Sequence, residues 1–163
     1  MIMRSVLTIA LMAGTGFAES AEPPKFYKLD FVVREVESGK VINARAYSMM
    51  ASTDSNGSLR TGSKVPTPAP QGGAPASFID VGTNIDCRSI KELQQHDLAL
   101  FVTAEISSTV HDPATPDYPV IRQNKWSSTV IVPIKKAALI FSSDDATTKR
   151  QLQLELTATP IPN

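Results

Sequence analysis

The segment KRQLQLELTATPI (Lys149–Ile161) alternates Leu152, Leu154 and Leu156 with Gln151, Gln153 and Glu155. Successive side chains of a strand point to opposite faces. A two-residue period therefore puts the leucines in an apolar layer and the amides and the carboxylate in water. The same rhythm runs through most of the chain. In FYKLDFVVREVE (Phe26–Glu37), Tyr27, Leu29, Phe31 and Val33 share one side, with Lys28, Asp30 and Arg34 opposite. Ser38-Gly39 breaks that run, and KVINARAYSMMAS (Lys40–Ser52) resumes it with Val41, Tyr47 and Met49 on one side, which is a hairpin pattern.

Asp54 to Ser58 contains Asn56-Gly57, a pair suited to a tight hairpin turn, and a third strand is expected over Leu59–Val65, stopped by Pro66. Thr67 to Ala76 carries Pro68, Pro70, Pro75, Gly72 and Gly73. Proline lacks the ladder donor, so a flexible loop is predicted there. A fourth strand over Ser77–Ile90 should bury Ile79, Val81, Ile85 and Cys87, and Lys91–Asp97 reads as a polar break, with a two-turn helix as the other reading of Ser89–His96. The fifth strand, through Val110, sets Leu98, Leu100, Val102, Ala104 and Ile106 against Ala99, Phe101, Thr103 and Glu105. A second Pro-rich loop (His111–Pro119) precedes Val120–Ile134 and the short Ala137–Ser143. Seven or eight antiparallel strands spaced by turns predict an all-β sandwich or a barrel-like sheet. Gly82, in mid-strand, marks either a bulge or bend of a curved sheet, or an aromatic such as Phe78 or Trp126 packed across it.

The N-terminus has one charge, Arg4, then an apolar run from Ser5 to Met12, then Gly16-Phe17-Ala18. That order predicts a secretory signal peptide over residues 1–18 and a single exported domain over 19–163. The apolar run is too short to span a bilayer, and no transmembrane helix is expected elsewhere. Cys87 is the only cysteine, so the core must hold without an internal disulfide. Sixteen basic residues balance 16 acidic ones, which argues against nucleic acid as a partner.

No arrangement of residues predicts an enzyme, a cofactor or a metal site. His96-Asp97 and His111-Asp112 sit in polar turns without ligand spacing, and His111, Asp112 and Asp117 lack the regular oxygen spacing of a calcium loop. There is no Gly-x-Ser-x-Gly, and Gly72-Gly73 is followed by neither a helix nor a lysine. The nine aromatics from Phe26 to Phe141 mostly alternate with apolar neighbours, which fits a core rather than a sugar-stacking face.

From Asn56 onward the order of features resembles the C-terminal homology domain of the bacterial secretins, the ring-forming outer-membrane channels of secretion systems and type IV pili. RTGSKVP (Arg60–Pro66) resembles the family's glycine turn before a Val/Ile-Pro element. FIDVGTNID (Phe78–Asp86) resembles its aromatic-x-Asp-Val-Gly strand, LALFVTAEISS (Leu98–Ser108) its Glu-Ile-Ser strand, and PVIRQNKWSSTVIVP (Pro119–Pro133) its segment with an arginine. The positions that carry the likeness are Arg60, Gly62, Val65, Pro66, Asp80, Val81, Gly82, Glu105, Ser107 and Arg122, all as structural residues. KKAALIFSSDD (Lys135–Asp145) lacks the family's glycine pair, and Thr67–Ala76 is short where secretins carry gate hairpins. The resemblance implies a short stand-alone relative without enzymatic activity, periplasmic or outer-membrane associated, partnered by itself or by other envelope proteins. The residues alone also admit a monomeric sandwich that binds a small ligand, glycan or partner protein through its loops.

Overall fold

The computed structural model describes residues 22–66, 77–93, 96–110, 120–145 and 148–162. Among them the chain forms eight strands and no helix: β1 (Phe26–Glu37), β2 (Lys40–Ser52), β3 (Gly57–Pro66), β4 (Phe78–Leu93), β5 (Asp97–Val110), β6 (Val120–Pro133), β7 (Ala138–Asp144) and β8 (Arg150–Ile161). They make two four-stranded antiparallel sheets, ordered β2-β1-β8-β7 and β3-β4-β5-β6. The leucine alternation of β8 is buried as expected: Leu154 and Leu156 have no exposed area, opposite Val33 and Phe31 of β1.

The two sheets face each other over one apolar layer. Tyr27, Leu29, Phe31 and Val33 meet Ile85, Cys87, Leu98, Leu100, Val102 and Val132. Stripping that much apolar surface from water is the main stabilising term. Both outward faces carry cross-strand ion pairs, Arg34–Glu155 at 2.7 Å on one and Arg60–Asp86 at 2.7 Å on the other. The chain order runs around the molecule as an up-and-down barrel would. Its ladder is broken twice, between β2 and β3 and between β6 and β7, so the sandwich and barrel descriptions meet in one object.

Four expectations need correction. Asn56-Gly57 does not close a hairpin, because β2 and β3 belong to different sheets. Gly57 instead opens β3 where a Cβ would lie 3.1 Å from the Ala51 Cβ and the Met49 Sδ, so glycine is there for close approach between sheets. Lys91–Leu93 is strand, neither polar break nor helix. A bulge between Arg88 and Lys91, with Ser89 at φ 55°, shifts the register and lets β4 pair on to Asp97. Val41 is 56% exposed rather than grouped with Tyr47, since a register shift after Glu35 resets the pattern. Ile79 (41% exposed) and half-buried Val81 stay out of the core for a reason described below. The predicted signal peptide and both predicted loops, 67–76 and 111–119, lie outside the described residues, and so do His111, Asp112 and Asp117.

Candidate assembly edges

The hairpins β1–β2, β3–β4, β5–β6 and β7–β8 all turn at one end of the sandwich, the tip end, because the sheets are antiparallel throughout. The opposite, base end holds the β2–β3, β4–β5 and β6–β7 connections, and Phe26 pairs there with Ile161. Each flank presents two open strand edges. β2 and β3 lie side by side on one flank, joined where Gly57 meets Met49 and Ala51. β6 and β7 form the other, tied by the Trp126–Phe141 ring contact at 5.5 Å, while Ile134 just past β6 bridges to Ala158 of β8. An open edge exposes unpaired N–H and C=O groups that accept another strand.

The base end is fastened by a small polar cluster. Glu92 near the end of β4 accepts hydrogen bonds from Lys25 Nζ (2.8 Å) and from Tyr27 Oη (3.0 Å) across the sandwich. Those two bonds hold the Glu92 carboxyl below its usual range. Burial, then the bond to Glu92, pushes the Tyr27 phenol up to about 12. Burial likewise pushes the Cys87 thiol up to about 12, which leaves it a small apolar core residue.

The tip end is built differently. There the inward positions are Glu35, Arg45, Arg122, Asn124 and Ser143, and a polar cleft of about 720 Å³ separates the sheets. Arg122 bonds Asp145 at 2.7 Å, and Arg45 meets Glu35 at 3.4 Å. The apolar layer therefore runs from the base end as far as Val33, Ile106 and Leu154 and stops short of the tip end.

Most positions carrying the family resemblance gather at one place on the β3–β4 hairpin. Gly62 pairs directly with Gly82, Val65 with Ile79, Pro66 with Phe78, and Lys64 with Asp80, the last pair at 3.0 Å. Val81 lies opposite Ser63. A Cβ at Gly82 would run into Thr61 O and lie 2.5 Å from Gly62 Cα, so the glycine pair lets two backbones cross closely. The atoms nearest a Cβ at Gly82 belong to β3 rather than to Phe78 or Trp126, and the β3–β4 register runs through Gly82 without a bulge. Ser107, on β5, donates its hydroxyl toward Gly82 O (3.4 Å), and that hydroxyl accepts a bond from Gly82 N (2.9 Å). Arg60 is two residues further along β3, in a bidentate bond to Asp86. Glu105 stands apart on the outer face, 3.6 Å from Lys125, and Arg122 lies across the cleft.

The sequence pattern does not single out Arg45 or Glu92. The first was legible, since it shares parity with Tyr47 and Met49 and must point between the sheets. The second depends on a bulge that no local pattern announces. Among the described residues no group of three or more His, Cys, Asp or Glu side chains is placed to hold a metal ion, and no helix is long and apolar enough to cross a membrane.

No protein-family model matches the sequence, and no curated protein matches it. The structure is similar to solved secretins. Against InvG, the secretin of the Salmonella SPI-1 type III secretion injectisome, the TM-score is 0.55 at 6% identity, covering 86% of this chain and 64% of that one. Against the type II secretion system secretin XcpQ from Pseudomonas aeruginosa it is 0.51 at 11% identity, covering 86% and 58%. Against the secretin of the enterotoxigenic Escherichia coli AspS–GspD pilotin–secretin complex it is 0.51 at 7% identity, covering 86% and 48%. The chain spans less than two thirds of the length of each of these three proteins. What they share with it at such identities is fold: eight strands in the two-sheet, secretin-like arrangement.

Proposed function

We propose that this protein is an exported, non-enzymatic structural component of a cell-envelope assembly, secretin-like in use as well as in fold, and that it works by joining copies of itself edge to edge. In this reading residues 1–18 direct export and are removed, and residues 19–163 form the subunit in the periplasm or at the outer membrane. Other envelope proteins of a secretion or pilus system would dock on the assembled form.

One observation carries the proposal. Each sheet has four strands of alternating direction, so the edge strand of one flank runs opposite to the edge strand of the other. Translating a copy sideways sets β2 of one subunit beside β7 of the next, and β3 beside β6, and both new pairs are antiparallel. Two walls then extend together, and a head-to-tail contact of this kind closes into a ring when its rotation permits. Charge helps one seam: β2 begins at the tip end with Lys40, while β7 ends there at Asp144.

The test uses exposed cysteines on the outer face. Ala44→Cys on β2 and Ser142→Cys on β7 are prepared as separate chains and mixed at micromolar concentration under mild oxidation. Dimers that form in the mixture and in neither variant alone are the expected result, with rings or arcs visible by electron microscopy of the 19–163 chain. A strictly monomeric species by light scattering, with no mixed dimer, removes the proposal.

A further inference from the structure

The β4–β5 ladder ends early. Its last pair is Thr83 with Ile106, although β4 reaches back to Phe78 and β5 on to Val110. Beyond that pair, among the described residues, the ladder partner of β4 is β3 alone, and that of β5 is β6 alone. The sheet is forked. A cavity of about 330 Å³ lies at the fork, lined by Gly62, Val81, Gly82, Ser107, Ser108 and Thr109 among others. This is why Ile79 and Val81 leave the core despite sharing parity with buried Ile85.

The register is nonetheless set to go on. Continuing from Thr83–Ile106 would bring Gly82 opposite Ser107, Val81 opposite Ser108, Asp80 opposite Thr109 and Ile79 opposite Val110, with no change of face. Nothing in that stretch is proline, so no donor is missing. At the crotch the Ser107 hydroxyl occupies Gly82 N, the group that the Ser107 backbone would take in a completed ladder. The crossing of Gly62 and Gly82, with no side chain between the backbones, is where the hairpin can bend.

We propose that the fork is one of two states: the outer half of the β3–β4 hairpin swings about Gly62–Gly82, and the β4–β5 ladder zips shut by up to four more residue pairs. Ser107 is the latch, holding the forked state by putting a side chain where a backbone bond would form. Closure replaces the hydroxyl-lined cavity with ladder hydrogen bonds and turns a free hairpin arm into part of the wall. It does not depend on assembly, so it can be read in a single chain.

Val81→Cys with Ser108→Cys tests it, because these residues would form a close, non-hydrogen-bonded pair in the zipped state. Thr103→Cys with Ser127→Cys is the control, since Ser127 already bonds Thr103 across β5 and β6 at 3.1 Å. Cys87 is fully buried and stays silent. The expected result is cross-linking of 81 to 108, slower than the control, and about fivefold faster when Ser107→Ala removes the latch, the factor that one hydrogen bond of ordinary net strength controls. Hydrogen exchange gives a second reading free of cysteines. By strand alternation Asp80 faces β5 as Gly82 does, so its amide gains protection in Ser107→Ala. A control that closes while 81 and 108 stay reduced in both backgrounds, or an Asp80 amide that exchanges at the unstructured rate in both, overturns the proposal.

Discussion

Single residues in this chain are placed by what they lack as much as by what they carry. Gly82 and Gly62 are glycine because each lies against the other strand's backbone, where any Cβ meets carbonyl atoms that cannot step aside. Gly82→Ala is predicted to cost about 1–3 kcal/mol, the range for forcing extra volume into a packed site, read as a lower midpoint in urea. Gly39→Ala tests a different cause, because nothing lies within 4 Å of its Cβ position and only its φ of 77° is unfavourable to a side chain. Its loss should be the smaller of the two. Cys87 belongs at this scale as well. With its thiol pushed up to about 12 by burial, it is expected to resist thiol reagents in the native protein and to react at once after unfolding.

Among elements, the junction of β1 with the end of β4 sets a pH dependence at both extremes. Glu92 is held below its ordinary value of 4.5 by bonds from Lys25 and Tyr27, so it contributes stability above that value and loses it as pH falls through the depressed folded one. Tyr27 is raised from 10.0 to about 12, so its contribution is complete below pH 10 and disappears as pH rises through 12. Thermal melts of Tyr27→Phe should therefore show a flatter decline between pH 10 and 12, and those of Glu92→Gln a flatter decline in acid. The strands themselves were readable, since residues such as Leu154 and Phe31 obey a two-residue period from end to end. Their connections were less so. Asn56-Gly57 has the composition of a hairpin turn, yet the chain changes sheets there, because turn chemistry is local and sheet membership is set by which faces find apolar partners. The bulge at Ser89 and the fork at Gly82 stayed hidden for the same reason: both depend on a neighbouring strand's backbone. Of the positions that carry the secretin resemblance, Gly62, Val81, Gly82 and Ser107 converge while Glu105 and Arg122 do not.

For the molecule as a whole, the apolar core is weighted toward the base end. The base half is packed with Tyr27, Phe31, Leu98, Leu100 and Leu156, while the tip half encloses charged and amide groups. Leu100→Ala is predicted to cost about 2–5 kcal/mol, as for other buried leucines, whereas Asn124→Ala in the cleft should change the denaturation midpoint little. Among the described residues charges interrupt both outward faces, with Arg34 and Glu155 in the middle of one and Asp86, Arg88 and Lys125 on the other. The pairing of Phe26 with Ile161 has a further consequence. The first and last strands leave the body side by side, so whatever is covalently attached before one or after the other hangs from the same rim. A fluorophore attached directly at Phe26 and one attached directly at Ile161 would report from one level.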